Sequence, residues 1–208
     1  KEIKEDKKKF VFGDVEAGAE VADDNGFYLG HAALFYYAPK TNVSFIGDLN
    51  NIGKRTFSFQ DMMRFQGGAS SFISGRKQLT DLYSFAMDNT DVLENKSRFS
   101  AINFRQEINT KLDIEGYGIF SSLFSKTASE SSIEYLQNSG VTFEERSSSG
   151  RNNSVLGIGN IKLNYTPNTK EKWYYNGQFQ SSTNDMNSVL NSARDGQWSS
   201  FETLNKSD

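Results

Sequence analysis

Cysteine is absent from the 208 residues, proline occurs twice and histidine once. Without cysteine there is no disulfide and no thiolate metal site, and the lack says little about compartment. No apolar run approaches the roughly 18 residues of a spanning helix, which excludes a helical membrane protein. Lys1 to Lys9 is a charged run without an apolar core segment, so no signal peptide is read there, and an envelope location would make the given chain a fragment or a mature form. Hydrophobic residues make up only 36%, mean hydropathy is −0.61 and net charge is −3, which gives no support to nucleic-acid binding. Catalytic constellations are missing too. A Ser-His-Asp triad would have to use His31, and no Gly-x-Ser-x-Gly elbow presents a serine. His31 has no carboxylate or thiol at ligand spacing, Gly157-Ile158-Gly159 lacks the third glycine of a dinucleotide loop, and Asp14/Glu16 and Asp113/Glu115 are same-strand neighbours. No enzyme activity, metal or cofactor is expected.

What is present is alternation. From Ile102 the even positions read Ile102, Phe104, Gln106, Ile108, Thr110, Leu112, Ile114, Gly116, Gly118, Phe120. The odd ones read Asn103, Arg105, Glu107, Asn109, Lys111, Asp113, Glu115, Tyr117. Successive strand side chains point to opposite faces, so this is a sheet with one oily and one charged surface. Trp173, Tyr175, Gly177 and Phe179 repeat the pattern against Tyr174, Asn176, Gln178 and Gln180. So do Val155, Ile161, Leu163 and Tyr165 against Asn160, Lys162 and Asn164. Aromatics reach 13%, a bias that suits β structure.

About seven strands follow: Phe10–Val21, Phe27–Ala38, Val43–Asn51, Arg98–Asn109, Leu112–Ser125, Val155–Tyr165 and Trp173–Thr183. The first hairpin turns at Asp23-Asp24-Asn25-Gly26. Short connections at Pro39–Asn42, Asn109–Lys111 and Thr166–Lys172 alternate with long ones at 53–97, 129–151 and 186–208. In an up-and-down sheet this puts every tight turn at one end and every long loop at the other, the arrangement of outer-membrane barrels with short periplasmic turns and long extracellular loops. Within the first long loop, Ser58 with Asp61, then Phe59, Met62, Met63 and Gly67, predicts a two-turn helix. Leu79, Leu82, Tyr83 and Ala86 predict a second over Lys77–Met87. Tyr36, Tyr37, Tyr165, Trp173 and Tyr175 cluster beside the short turns, where an interfacial girdle belongs. Asn103, Arg105, Glu107, Asn160, Lys162, Asn176, Gln178 and Gln180 are expected to line the watery interior, and outer-membrane lipid to cover the opposite face.

Leu29-Gly30-His31, the run Leu34-Phe35-Tyr36-Tyr37-Ala38-Pro39-Lys40-Thr41-Asn42-Val43-Ser44-Phe45-Ile46-Gly47-Asp48-Leu49-Asn50-Asn51-Ile52-Gly53, and Phe57-Ser58-Phe59-Gln60-Asp61 with Phe65-Gln66-Gly67-Gly68 form the most distinctive stretch. It resembles the first barrel hairpins and first long loop of a TonB-dependent outer-membrane receptor of the group with a carboxypeptidase-regulatory-like domain. Phe104–Asn109 and Gly157–Leu163 resemble later strands of that group, and Ile3–Val15 is similar to the junction between plug and barrel. The resemblance implies that residues 1–9 end the plug and that 10–208 are the N-terminal part of the barrel, about a third of a roughly 22-stranded plugged structure. It further implies an integral protein of a Gram-negative outer membrane, active uptake of an iron chelate, glycan or peptide, and TonB as partner through a plug outside this chain. Phe57, Phe59, Asp61, Arg64 and Phe65 of the first long loop would then be available to ligand or partner. A receptor-like scaffold in an outer-membrane assembly or secretion complex, with a surface lipoprotein as partner, is a second expectation. A soluble β-barrel that binds a ligand is a third.

Overall fold

The computed structural model describes residues 9–22, 25–54, 92–137, 140–194 and 197–207. They form one antiparallel up-and-down sheet of eight strands in sequence order: β1 Phe10–Ala22, β2 Asn25–Ala38, β3 Thr41–Asn50, β4 Val92–Asn109, β5 Leu112–Gln137, β6 Gly140–Tyr165, β7 Trp173–Arg194 and β8 Gln197–Ser207. β1 and β8 do not pair, so the sheet is an open segment with two edges. The helices expected within 53–97 fall on residues 55–91, outside the described residues, as does the 1–8 part of the N-terminal linker.

The tight turns form where the sequence supplies their chemistry. Pro39-Lys40 joins β2 to β3, and Thr110-Lys111 joins β4 to β5. Asn109 accepts the Lys111 amide at 2.8 Å, an Asx-turn that reverses the chain within two residues. Between β6 and β7, Asn168 accepts the amides of Lys170 and Glu171 at 2.9 and 3.0 Å. Pro39 and Pro167 sit in these turns, where a missing donor costs no ladder bond.

The other end of the sheet differs from the sequence reading. Residues 129–137 continue β5, 140–151 open β6, and 186–194 with 197–207 form the β7–β8 hairpin. Gln137 pairs with Gly140 and Arg194 with Gln197, so the described residues of the long connections expected over 129–151 and 186–208 are paired strands of two hairpins. β4 likewise begins at Val92 rather than Arg98. These segments are serine-, threonine- and asparagine-rich on both faces. They carry no hydrophobic period, and the ladder simply propagates outward from the hydrophobic part of each hairpin. The first hairpin is also tighter than expected, because Asn25 and Gly26 already belong to β2.

Register assigns every side chain to one of two faces. One face runs across the sheet as Asp14, Ala33, Ile46, Ala101, Ile119, Ile158 and Gln180, and one row along as Glu16, His31, Asp48, Phe99, Ser121, Leu156 and Ser182. Among the described residues the buried apolar core lies wholly on this face: Ala33, Phe35, Ile46, Phe99, Ala101, Ile119, Leu156 and Ile158. Ile46 is 0% exposed and Phe35 2%. With no second layer among the described residues, these side chains cover one another, as they do inside a sheet curled toward closure. We call this the inner face.

The opposite, outer face carries Val11, Val15, Leu34, Leu49, Ile102, Phe120, Ile161 and Phe179, all exposed. Phe104 lies across Gly116 there: a Cβ added at Gly116 would stand 2.6 Å from the Asn160 carbonyl oxygen and 3.1 Å from the Phe104 ring. A backbone atom cannot step aside as a side chain can. We predict that Gly116→Ala costs about 1–3 kcal/mol of unfolding free energy. Gly18→Ala on β1, with nothing within 4 Å of the added Cβ, leaves stability unchanged or raises it. Paired urea unfolding curves check both.

Candidate functional site

The inner face is built in three zones. Near the tight turns lies a row of Phe10, Tyr37, Asn42, Arg105, Glu115, Lys162 and Asn176. Lys162 Nζ meets Glu115 Oε1 at 3.3 Å, and Arg105 Nε meets Asp113 Oδ1 at 3.5 Å. Asn160 Nδ2 donates to Asn176 Oδ1 at 2.8 Å and to the Gly177 carbonyl at 3.1 Å. Lys40 stands 3.7 Å from Glu107. All eight residues expected to line an interior, Asn103, Arg105, Glu107, Asn160, Lys162, Asn176, Gln178 and Gln180, share this face by register.

That face is not uniformly polar. Its middle zone is the apolar core, with the Phe12 and Phe35 rings stacked at 4.9 Å. The alternation in β4 changes sign halfway: its odd positions are Asn103 and Arg105 near the tight turn but Phe99 and Ala101 further along. Tyr37 belongs here as well, stacked on Phe10 at 5.3 Å. Tyr36, Tyr165, Trp173 and Tyr175 lie on the outer face, so the five aromatics expected as one girdle divide four to one.

The third zone, toward the long-loop end, holds a constellation that sequence spacing did not reveal. His31 Nδ1 is 2.7 Å from Asp48 Oδ1, and its Nε2 is 3.0 Å from Asp14 Oδ2. Asp48 stands directly across the β2–β3 ladder from His31, while Asp14 reaches it diagonally from β1. The ring lies between the two carboxylates, so the three groups bond to one another in a line and do not converge on a common ion. Because both ring nitrogens are engaged, His31 presents neither to a substrate. It acts as a clamp between strands.

Polar groups continue beyond this clamp. Lys54 Nζ is 2.5 Å from Glu16 Oε2, and Asn50 Nδ2 donates to the Lys54 carbonyl at 2.9 Å. The Asn51 side chain accepts the Tyr28 amide at 2.7 Å and donates to the Gly26 carbonyl at 2.7 Å. It thus prolongs the β2–β3 ladder past its last residue, and Gly53 then turns the chain at φ 73°. Asn50, Ser97 and Ser125 are buried here. Phe57, Phe59, Asp61, Arg64 and Phe65, the expected contact residues of the first long loop, lie outside the described residues.

The distal hairpins carry their own polar anchor. Glu144 is buried on the inner face and accepts from Arg146 Nε at 2.5 Å, Tyr135 Oη at 2.7 Å and Ser192 Oγ at 2.7 Å. The Arg194 guanidinium stands 4.8 Å from the Tyr135 ring centroid. β5, β6 and β7 are therefore tied together well beyond the hydrophobic core. Hydrogen bonds from Arg146, then Ser192 and Tyr135, hold the Glu144 carboxyl well down, from 4.5 to about 2. A depressed carboxyl stabilises the fold above its unfolded value and loses that contribution as pH falls through the folded one. We predict that amide exchange across 129–137 and 140–151 stays slow above pH 4.5 and accelerates, relative to the rest of the sheet, as pH falls from 4.5 to 2. In Glu144→Gln the exchange is already faster at neutral pH and has no such step.

No family model, no curated protein and no solved structure matches the chain.

Proposed function

We propose that the chain is part of the barrel of a TonB-dependent outer-membrane receptor, working in active uptake of a scarce nutrient such as an iron chelate, a glycan or a peptide. The observation that carries this reading is the outer face. In a water-soluble sheet of one layer the exposed face is the polar one, because antiparallel sheets bury one face and solvate the other. Here Phe120 is 45% exposed and Phe179 63%, in a field with Leu34, Leu49, Ile102 and Ile161. That field crosses six strands, from Leu34 on β2 to Phe179 on β7, whereas a soluble monomer ordinarily keeps its contiguous apolar patches to a few hundred Å². Lipid is the solvent that suits it.

Other features agree with the reading. The β2–β3, β4–β5 and β6–β7 connections fall at one end, and at the other the β5–β6 and β7–β8 hairpins run well past the core, as extracellular ends do in outer-membrane barrels. Tyr165, Trp173 and Tyr175 stand on the outer face beside the short turns, at the level where amphipathic rings meet headgroups. The two open edges call for further strands, since lipid does not tolerate unpaired backbone groups. In this account the polar inner zones face a plug and water. TonB, acting through the plug, supplies the drive, and ligand is captured at the long-loop end. A free, soluble ligand-binding barrel is disfavoured by the outer field, because a lipocalin-like fold buries its apolar face inside and would leave no comparable field on its outer side.

The test is substitution on the outer face. Phe120→Arg and Ile102→Arg should each destabilise the protein by about 2–4 kcal/mol in lipid, the cost of an arginine near the bilayer midplane. At a half-exposed site in water the change would lie within about 0.5 kcal/mol. A near-zero cost in bilayers contradicts the reading. Orientation is checked on intact cells, since the absence of cysteine makes single-cysteine variants clean reporters. Ser132→Cys in the distal β5 strand should react with an impermeant maleimide, and Thr110→Cys in the tight turn should not.

A further inference from the structure

Just beyond the hydrophobic core, the inner face of β3 and β4 carries a run of oxygen-bearing side chains. Asp48 and Asn50 lie two residues apart on β3, and Asn95 and Ser97 two apart on β4. Register sets them side by side, because Asn50 pairs with Ser97, Asp48 with Phe99 and Asn95 with Ser125. Asn50 is 1% exposed and Ser97 9%, and Ser125 is buried beside them. The buried Phe99 ring closes the group on the core side.

Asn50 Oδ1, Asn95 Oδ1 and Ser97 Oγ are buried and have no hydrogen-bond partner among the described residues. Buried polar side-chain atoms are ordinarily bonded, so three such atoms on two paired strands call for a ligand. Asn50 is not relieved by turning its amide over. Its Nδ2 donates to the Lys54 carbonyl at 2.9 Å, and that bond commits Oδ1 to the other side. An amide oxygen only accepts, so what satisfies it is an N–H, an O–H or a metal cation.

Charge favours the cation. At this level the inner face carries the carboxylates of Asp14, Glu16 and Glu20 on β1 and Asp48 on β3. Against them stand Lys54, 2.5 Å from Glu16, and His31, held between Asp14 and Asp48. Four carboxylates outnumber one lysine and one imidazole, so the zone keeps excess negative charge even with His31 protonated. Donors that are all oxygen, mostly neutral and carried on flexible side chains suit a hard cation of adaptable coordination. Calcium fits that description better than magnesium, which demands a near-ideal octahedron.

We propose that Asn50, Asn95 and Ser97 bind a calcium ion beside the Asp48 carboxylate, with water completing its shell. The ion would fasten β3 to β4 past the last apolar pair, where the β3–β4 ladder ends at Asn50 and Ser97. Such a site is independent of what covers the outer face.

The test is calcium binding to the intact protein, stripped with EDTA and exchanged into calcium-free buffer, read by equilibrium dialysis and by thermal unfolding. One ion per chain is expected, with a Kd on the order of 10⁻⁴ to 10⁻³ M, because a low count of charged ligands gives weak sites. Magnesium should bind roughly tenfold more weakly or worse. Asn95→Asp adds a carboxylate and should tighten calcium binding roughly tenfold, while Ser97→Ala removes an oxygen and should weaken it by a similar factor. Without calcium, Ser97→Ala should melt no lower than the parent, since it deletes a buried, unbonded hydroxyl. Its loss of binding is thereby separated from misfolding. Calcium should raise the melting midpoint of the parent and of Asn95→Asp, and hardly that of Ser97→Ala. No bound calcium overturns the proposal and leaves ordered water as the partner of these oxygens. Binding that neither substitution changes overturns it too, because the ion would then sit on the exposed carboxylates. Stabilisation by sodium that calcium does not displace overturns the assignment of a divalent ion.

Discussion

Everything in this structure depends on parity. Seven antiparallel ladders run in sequence, and each keeps the same side chains on the same side. Side chains alternate with a period of two, so a slip of one residue in any ladder would transfer a whole strand's apolar set to the wrong surface. The β4–β5 ladder shows how the register tolerates local disturbance: its irregularities, at Val92/Glu94 and Glu107/Asn109, fall near the two ends of β4. Between them the pairing from Glu94 to Glu107 is continuous, and this stretch spans the core.

Parity also sorts the chemistry. The inner face is polar, then apolar, then polar along the strand direction, with Lys162–Glu115 at one end, Ile46 and Ile158 in the middle, and Asp14–His31–Asp48 at the other. The outer face follows a different order: aromatic beside the tight turns, apolar across the middle, cationic around Phe124, then Glu130, Glu134 and Glu145 on the distal strands. Two surfaces with different sequences of zones meet different surroundings. On the proposed reading, a membrane on one side and a packed, partly wet interior on the other would account for both orders.

Much of the fold was legible in the residues. Strict alternation from Ile102 to Phe120 identified the β4–β5 hairpin, and Asn109 and Pro39 marked the turns because their backbone demands are local. Strand ends were not legible where both faces are polar. Ser129, Ser131 and Ser147 to Ser149 carry no hydrophobic period, yet the ladder carries them along. The face that carries the core was half legible. Register puts the eight expected polar residues on one face, while Phe99 and Ala101 on that same face belong to the core. The His31 clamp was hidden for a different reason. Its partners lie 17 residues away in each direction, and only the pairing of β1, β2 and β3 brings them together. The distal Glu144 anchor is hidden in the same way, since Ser192 comes to it from 48 residues away.

The most direct measurement of which surface meets lipid is spin-label accessibility in bilayers. Single cysteines at Ile102, Phe120, Ile161 and Phe179 on the outer face, and at Asn103 and Gln178 on the inner, would each carry a nitroxide. Relaxation would be compared between oxygen, which concentrates in acyl chains, and a water-soluble nickel chelate. The account predicts that the four outer positions respond mainly to oxygen and the two inner ones do not. Outer positions relaxed chiefly by the nickel chelate would contradict it.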